Sequence, residues 1–395
     1  MFYIGIDISK NSFNFCIINN SSKILKQGSI PQSSEGFNNF LDIIKHFSPN
    51  TIVIESSGRY HIPITHFLLQ HNASVFVINP KAISKFSSYI NHSNPSKTDK
   101  KDAFIIAFFA LKNPEFLKSS PLPSDLKILA RQISQIKHQI SKTKTQILYN
   151  LSVLFPEAEK HLNVFSKSFL NILLHFPSAK HIAKAPSLKL KRIILASSKR
   201  PPTFSHKSIK SLAKSSIGIS HKGFESSLKF LIKQLFFLEN QVKDLEKTLE
   251  DEISKTSEKQ LNILSSIKGI SKKLGSLFLA EIESIKKFAN AKKLIKYTGT
   301  DPVVKQSGKW QTKRGISKQG NPFLRYILYQ MATGVITWNK IFKAYYKIKY
   351  TQFKSHKKAM IAVVNKLIRV VFAMLKNNSF FNSSYHKNLY PNFYL

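Results

Sequence analysis

The sequence predicts an α/β domain at the start of the chain, followed by a helical region that fills the remainder. Short apolar runs alternate with segments of helical spacing over the first 115 residues. Long runs with an apolar residue every three or four positions then follow, at 124–154 and 228–249. No run of about 18 uncharged apolar residues occurs, and the first residues, MFYIGIDISK, do not have the pattern of a signal peptide. We therefore expect a cytoplasmic protein with no membrane partner.

The first 115 residues predict eight elements. Three short apolar strands separated by polar turns come first, which is typical of an antiparallel meander: Phe2–Ile8, Phe13–Ile18 and Ile24–Ser29. Helices and strands then alternate: a helix at Gly36–Phe47, a strand at Thr51–Ile54, a helix at Ile62–Gln70, a strand at Ser74–Ile78 and a helix at Ser96–Leu111. We expect the strand Thr51–Ile54 to be buried and the strand Ser74–Ile78 to end at Asn79-Pro80. This order is that of a ribonuclease-H-like domain, which we place at 1–115.

Residues 116–260 predict a helical, coiled-coil-like middle region. Its second long helix has an uninterrupted apolar seam with steps of three and four: Leu228, Leu231, Leu235, Leu238, Val242, Leu245 and Leu249. Such a seam requires another helix against it. That helix belongs either to a second subunit or to the earlier helix at 124–154 in the same chain, and the sequence leaves both open. Between the two helices, residues 160–224 are rich in Ser and Lys and predict a basic insertion.

A third, mainly helical unit is predicted over 261–376. The segment LNILSSIKGISKKLGSLFLAEI predicts two helices broken at Gly269. This break is either a helix-hairpin-helix, whose backbone N–H groups bind a phosphate, or an ordinary turn. A Gly- and Lys-rich loop over 299–320 then leads to apolar helices at 322–336 and 356–375. We expect a flexible tail over 377–395.

The charge balance predicts a polyanionic partner. The chain has 61 Lys and Arg against 21 Asp and Glu, for a net charge of +40. So many positive side chains repel one another in the folded state unless a polyanion is present. Binding to phosphates also releases counterions, which favours tight, salt-sensitive association with nucleic acid. A coding bias toward A+T would raise the Lys content but would not suppress Asp and Glu. The segments without acids, 160–224 and everything after Asp301, are compatible with nucleic-acid contact.

The few carboxylates in the first domain fall where strands and helices end. Asp7 lies on the first strand and Glu55 follows the strand Ile52-Val53-Ile54. Asp99 and Asp102 are three residues apart at the start of a helix, so they project from one face. Taken singly, each acid has an ordinary explanation, such as a favourable position near a helix amino terminus. Together, four carboxylates without a nearby His or thiolate predict a site for Mg²⁺ or Mn²⁺, of the kind that promotes phosphoryl transfer. The single cysteine, Cys16, excludes a thiolate-based zinc site.

The segments IGIDISK, VIESSGRYH and NPSKTDKKDA resemble the signature of the DEDD transposases of the insertion-sequence 110 family, relatives of the Piv-type DNA invertases. The amino-terminal domain of that family resembles the RuvC Holliday-junction resolvase. IKGISKKLGSLFLAEI and KLIKYTGTDPVVKQSGKWQTKRGISKQGNPFLRYILYQMA resemble the family's carboxy-terminal transposase domain. The stretch 160–224 departs from the family, whose linker is usually a shorter helical segment.

The resemblance implies a mechanism and partners. A serine nucleophile is implied in the second domain, where Ser307 in Lys305-Gln306-Ser307-Gly308 fits the motif and Ser317 is the competitor. The family pairs the carboxylates of one protomer with the serine of another, so a homo-oligomer, a dimer or tetramer, is implied. A structured noncoding guide RNA that pairs with donor and target DNA is also implied. We expect these basic residues to bind nucleic acid: Lys97, Lys313, Arg314, Lys318 and Arg325.

The leading hypothesis is thus an insertion-sequence recombinase that uses Asp7, Glu55, Asp99, Asp102, a divalent metal and Ser307. A first alternative is a RuvC-like junction endonuclease that forms no covalent intermediate. A second is a non-catalytic basic protein that packages nucleic acid, for which Asp7→Asn would leave function intact. An actin-like ATP-binding fold is disfavoured because Ile8-Ser9 follows Asp7 where that fold has Gly-Thr.

Overall fold

The computed structural model describes residues 1–56, 58–90, 99–117, 122–197, 204–307 and 310–382, with the backbone alone described at 99–100, 304–307 and 310–314. The chain forms two compact units, Met1–Pro123 and Ser124–Leu395. The first is α/β with one mixed sheet, as predicted, and the second is mostly helical. In the described part of the chain, no helix is both long and apolar enough to cross a membrane.

The first unit is built on a five-stranded sheet with the order β3-β2-β1-β4-β5. Strands β1 to β3 form the predicted antiparallel meander, and β4 and β5 run parallel to β1. The strands are β1 Phe2–Ile8, β2 Ser12–Asn19, β3 Ile24–Pro31, β4 Asn50–Glu55 and β5 Val75–Ile78. The helices are α1 Ser34–Lys45, α2 His61–Gln70, α3 Pro80–Ile90 and α4 Asp99–Lys112, and a 3-10 turn follows at Pro114–Phe116. This architecture is consistent with a ribonuclease-H-like domain.

Helix α3 corrects the prediction, which placed no element between Pro80 and residue 96. Asn79-Pro80 ends β5, as predicted, but it also begins this helix. In the structure Pro80 is the first helical residue, a position where its missing N–H removes no hydrogen bond. The Asn79 side chain accepts a hydrogen bond from the Lys81 N–H at 2.9 Å and so caps the helix. The helix predicted from Ser96 begins at Asp99, and residues 91–98 lie outside the described ranges.

The two faces of the sheet are covered by different helices. Ile4, Ile6 and Ile8 alternate along β1 and pack in a core with residues of α1 and α2, including Phe40 and Leu68. The opposite face carries α4, which packs on β1, β2 and β4. This division follows from strand alternation, since successive side chains point to opposite faces.

Gly5 sets the distance between β1 and α4. A Cβ atom on Gly5 would lie 2.2 Å from the Ala103 carbonyl oxygen and 2.3 Å from the Ala107 amide nitrogen. No side chain fits in that space, so the absence of one lets the helix backbone lie directly on the strand. The start of α4 is thereby held over the middle of β1.

In the second unit, α5 (Asp125–Leu154) and α11 (Lys222–Ser265) form a hairpin. The ion pairs Lys137–Glu246, at 2.6 Å, and Lys144–Glu239, at 3.3 Å, show that the two helices run antiparallel. The apolar seam of α11 is mostly buried within this chain, largely in the cores shared with α5. Of the two interpretations of the seam, the intramolecular hairpin is confirmed. These leucines are therefore not available to a second subunit.

The segment between the two long helices is a folded helical subdomain. Its helices are α6 Ala158–His161, α7 Lys167–His175, α8 Ala179–Lys184, α9 Ser187–Ser197 and α10 His206–Lys214. They share a core with the facing ends of α5 and α11. The chain after the subdomain lies next to the end of α5, because the Ile219 N–H donates to the Val153 carbonyl oxygen at 3.0 Å. The Glu157 carboxylate accepts hydrogen bonds from the Ser216 hydroxyl at 2.5 Å and from the Ile217 N–H at 3.0 Å. These bonds link the end of the subdomain to its start.

The remaining helices form the largest core together with the first part of α5 and the later part of α11. They are α12 Lys272–Ile282, α13 Ala291–Thr298, α14 Pro322–Trp338, α15 Lys340–Phe353 and α16 His356–Asn377. The predicted break at Gly269 separates α11 from α12, and the domain limit proposed at 260/261 lies within α11, shortly after its non-helical Ser257.

Two expectations for this region need correction. The segment 299–320 was expected to be a loop, but it contains the antiparallel strands β6 Pro302–Ser307 and β7 Trp310–Ile316. The tail was expected to be loose from residue 377, but Phe381 stacks on Phe342 with ring centroids 6.4 Å apart. Its N–H donates to the Ser266 hydroxyl at 2.9 Å. The tail beyond residue 382 lies outside the described ranges.

Candidate functional site

Asp7 and Glu55 stand at the carboxyl ends of neighbouring parallel strands. The last residues that pair between β1 and β4 are Ile6 and Ile54, and the two acids come directly after them. Both side chains are partly exposed. The parallel register therefore brings two carboxylates to the same edge of the sheet, although they are far apart in sequence.

The same two acids lie on the α4 face of the sheet. Asp7 is two residues from Gly5, and Glu55 is two residues from Val53, which packs with α4 residues in the core. Because alternate residues of a strand share a face, both acids belong to the side that α4 covers. Asp102, partly exposed, immediately precedes Ala103, whose carbonyl group contacts Gly5. Asp7 and Glu55 thus lie at one edge of the sheet, and Asp102 lies on the helix that covers the same face.

The fourth acid, Asp99, is the first residue of α4, and its side chain is not described. Lys97, predicted to bind nucleic acid, lies outside the described ranges. Among the side chains that are described, no three His, Cys, Asp or Glu groups are close enough to hold a metal ion. The four-carboxylate metal site consequently stays a prediction.

The donor atoms at this edge suit a hard divalent cation. Carboxylate oxygens are the preferred ligands of Mg²⁺ and Mn²⁺. Cys16 pairs with Gly5 across β1 and β2, but burial raises the pKa of its thiol to about 11. The thiol is therefore protonated at neutral pH and is not a thiolate ligand. The residues present fit Mg²⁺ better than a softer metal.

Ser307 ends β6 and pairs with Trp310 at the start of β7. It is therefore the last described residue of β6 before β7 begins, and residues 308–309 lie outside the described ranges. Ser317, its competitor, lies at the opposite end of the hairpin. The Ser317 hydroxyl donates to the Asp301 carboxylate at 2.5 Å and its N–H donates to the Asp301 carbonyl oxygen at 2.9 Å. Ser317 thus has a structural task in closing the base of the hairpin.

The predicted phosphate-binding residues around the hairpin differ in their environments. Lys313 and Arg314 are on β7, where the backbone alone is described. Lys318 is exposed, with a positive φ of 53°, and its N–H donates to the Gly299 carbonyl oxygen at 3.0 Å. Arg325 donates from Nη1 to the Thr298 carbonyl oxygen at 2.8 Å, so part of its guanidinium group holds the end of α13. Of the two residues whose side chains are described, Lys318 has the more accessible charge.

Sequence reasoning missed a buried network behind this hairpin. The Glu281 carboxylate is fully buried and accepts hydrogen bonds from Arg131, with Nη2 at 3.0 Å, and from Asn321 Nδ2 at 2.5 Å. The Asn321 Oδ1 atom in turn caps α14. The network joins α5 and α12 to the loop that follows the hairpin. The only signal in the sequence was that Glu281 is one of three acids after residue 258.

Two further residues beside Glu55 also went unassigned. Arg59 and Tyr60 precede α2 and are exposed at the end of the segment that follows β4. Their cationic and aromatic side chains lie within five residues of Glu55 and are suited to contacts with phosphates and bases. The motif VIESSGRYH contained them, but their exposure becomes apparent only in the fold.

Comparison with known proteins agrees with this assignment of motifs. A transposase family model for DEDD proteins of the IS110 type matches residues 4–156. A second, described as "Transposase IS116/IS110/IS902 family", matches residues 261–347. The subdomain α6 to α10 falls between them.

Relatives match along nearly the whole chain. The pilin gene-inverting proteins of Moraxella bovis and Moraxella lacunata are each 23% identical over 98% of this chain and 99% of their own length. An uncharacterized protein of insertion element IS110 from Streptomyces coelicolor is 22% identical over 73% of each chain. The two family models together cover more than half of the sequence, in the order expected of one protein. The chain belongs to the IS110 family of transposases.

Proposed function

We propose that this transposase is a divalent-metal-dependent DNA recombinase that cuts and rejoins strands through Asp7, Glu55, Asp99, Asp102 and Ser307. The observation that supports it best is the position of Asp7 and Glu55 at one edge of the sheet, on the side that carries Asp102. Family membership supports the reaction class, because the relatives include proteins named for gene inversion.

The carboxylates would hold the metal, and Ser307 would carry the DNA. When bound, Mg²⁺ would offset the mutual repulsion of the four acids and stabilise charge on the oxygens around the reacting phosphorus. The Ser307 oxygen would displace a DNA oxygen from phosphorus, losing its own proton while the departing DNA oxygen gains one. A phosphodiester between Ser307 and DNA results, and the hydroxyl of another strand then displaces the serine. Bond energy is conserved, so the outcome is strand exchange rather than hydrolysis.

Donor DNA, target DNA and a structured guide RNA are the proposed partners, with the nucleoid as the place of action. A net charge of +40 supports polyanion binding in general. We further propose a homo-oligomer in which the carboxylates of one protomer act with Ser307 of another. Because the α11 seam is buried within the chain, such an assembly needs other surfaces.

The test is recombination in cells carrying donor and target sites, with Asp102→Asn and Ser307→Ala variants. Both variants should lose recombination by a factor of at least about 100, since each removes a group that touches the reacting atoms. Folding is checked by circular dichroism and by the melting temperature. Near-normal recombination in either variant would remove that residue from the mechanism.

A denaturing gel separates this proposal from a RuvC-like nuclease. With labelled DNA and Mg²⁺, the wild type should form a protein–DNA adduct that withstands denaturation, and Ser307→Ala should form none. Cleavage without an adduct in the wild type would favour hydrolysis instead. An Asp7→Asn variant with unchanged function would favour the packaging alternative.

A further inference from the structure

The solvent-facing side of α15 carries a continuous stripe of positive charge. Lys340, Lys343, Lys347 and Tyr350 follow one another at steps of three and four, and Lys354 caps the helix on the same side. All five are exposed, and we call them the α15 basic face. The opposite side of the helix carries Phe342, buried in the core of the second unit. The stripe runs along roughly 20 Å of helix at about 1.5 Å per residue.

No carboxylate in the described part of the chain forms an ion pair with this stripe. The sequence has no Asp or Glu after Asp301, so α14, α15 and α16 have none of their own. Like charges at steps of three and four repel one another and destabilise a helix. A polyanion laid along the face would reverse that effect.

Exposed aromatic rings accompany the lysines. Trp338, two residues before Lys340, is 64% exposed, and Tyr350 is 48% exposed. The Tyr350 ring stacks on Tyr346 with centroids 5.9 Å apart, and the Tyr346 hydroxyl lies 2.8 Å from His356 Nδ1. Tyr350 is thereby held in place while about half of it faces solvent. Exposed rings beside lysines are suited to stacking on unpaired bases.

We propose that the α15 basic face, together with Trp338, binds a nucleic-acid strand with unpaired bases. The lysines hold the phosphates, and Trp338 and Tyr350 stack on the bases. The site goes beyond the proposed strand exchange and requires neither the carboxylates nor Ser307. Binding without divalent metal therefore tests it separately from the chemistry.

The first experiment measures the affinity of the full chain, in metal-free buffer, for labelled oligomers of about 20 nucleotides: oligo-dT, oligo-U and a mixed-sequence duplex. The test variant is Lys340→Gln/Lys343→Gln/Lys347→Gln. Its matched control is Lys243→Gln/Lys247→Gln/Lys259→Gln, which removes the same charge from exposed positions in the acidic part of α11. The test variant should raise the Kd for single strands about tenfold or more. Its slope of log K against log salt should become shallower by about 2, at roughly 0.7 per phosphate contact.

Equal losses in the test and control variants would overturn the phosphate-binding part. Either oligo-U or oligo-dT as the tighter ligand supports the site and identifies whether RNA or DNA occupies it.

The stacking part of the proposal is tested through the fluorescence of Trp338. The chain has two tryptophans, so replacing Trp310 leaves Trp338 as the fluorophore. In a Trp310→Phe background, oligo-dT should quench the remaining fluorescence. Trp338→Leu should weaken single-strand binding about tenfold while leaving duplex binding unchanged. No quenching, or an equal loss for the duplex, would overturn stacking.

Discussion

Glu283 joins three segments of the second unit through one carboxylate. It accepts from the Ser124 N–H at 2.9 Å, from Lys127 Nζ at 3.2 Å and from Lys287 Nζ at 2.6 Å. Burial favours the neutral acid, but the hydrogen bonds and charges of Lys287, Ser124 and Lys127 outweigh it and lower the pKa of Glu283 to about 2. The end of α12 is thus held to the start of α5 by a carboxylate that stays ionised in mild acid.

This pKa predicts a pH-dependent contribution to stability. Because the folded-state pKa is lowered from 4.5, the contribution is complete above pH 4.5 and is lost as the pH falls towards about 2. Glu283→Gln should lower the free energy of unfolding at pH 7 by about 2–3 kcal/mol at most. In melts at several pH values, the gap between wild type and variant should narrow below pH 4.5. A gap that does not change with pH would contradict this role.

Ser307 and Ser317 should respond oppositely to the same substitution. Ser317→Ala removes the hydroxyl that bonds Asp301 and should lower the free energy of unfolding by about 1–3 kcal/mol, with recombination retained in the folded fraction. Ser307→Ala should abolish recombination while the melting temperature hardly changes. Parallel melts and recombination assays distinguish them. Lost recombination in a well-folded Ser317→Ala protein would exchange the assigned roles.

The candidate site depends on the contact between Gly5 of β1 and helix α4. Gly5→Ala would place a methyl group 2.2 Å from the Ala103 carbonyl oxygen, so the helix must move. We expect a loss of about 3 kcal/mol or more in stability, together with lost recombination because Asp102 moves with the helix. The control is Gly223→Ala, whose Cβ would meet only the exposed His221 ring at 3.3 Å. A Gly5→Ala melt equal to wild type would contradict the close packing.

Sequence patterns predicted the elements whose apolar residues are regularly spaced and missed α3 and the β6–β7 hairpin, whose Pro, Gly and polar residues are typical of turns and loops. The meander and the long helices α5 and α11 were predicted because their apolar spacing is regular. Helix α3 was missed because Pro80 was interpreted as a stop. The β6–β7 hairpin was missed because its Lys, Gln and Gly residues resemble a loop. The spacing of apolar residues in α11 does not reveal whether its seam packs against the same chain or another one, because that depends on tertiary packing.

The candidate site, like the fold, could be predicted only in part from the sequence. The positions of Asp7 and Glu55 at strand ends could be predicted, since both directly follow apolar runs. Gly5 could not be predicted as the contact that holds α4, because its role depends on a helix about 100 residues later in the chain. Glu281 likewise acquires meaning only when Arg131 and Asn321 surround it.

The net charge of +40 should make the stability of the protein depend on ionic strength. Repulsion among exposed lysines destabilises the compact state and is screened by salt over about 10 Å at 0.1 M. We expect the melting temperature to rise as NaCl increases from about 0.05 to 0.5 M, and to rise at low salt when nucleic acid is added. Melts across a salt series test this. A melting temperature that falls with salt would show that ion pairs outweigh the repulsion.

The subdomain α6 to α10 leaves the α5–α11 hairpin and returns to it at nearly the same point, where Val153 and Ile219 are hydrogen-bonded. Because its two ends are neighbours, its length places no strain on the two long helices. The subdomain can therefore be enlarged or replaced without altering the register of the hairpin, provided the apolar ends of α5 and α11 stay covered. Relatives that share the catalytic residues can differ in the subdomain that is inserted at this point.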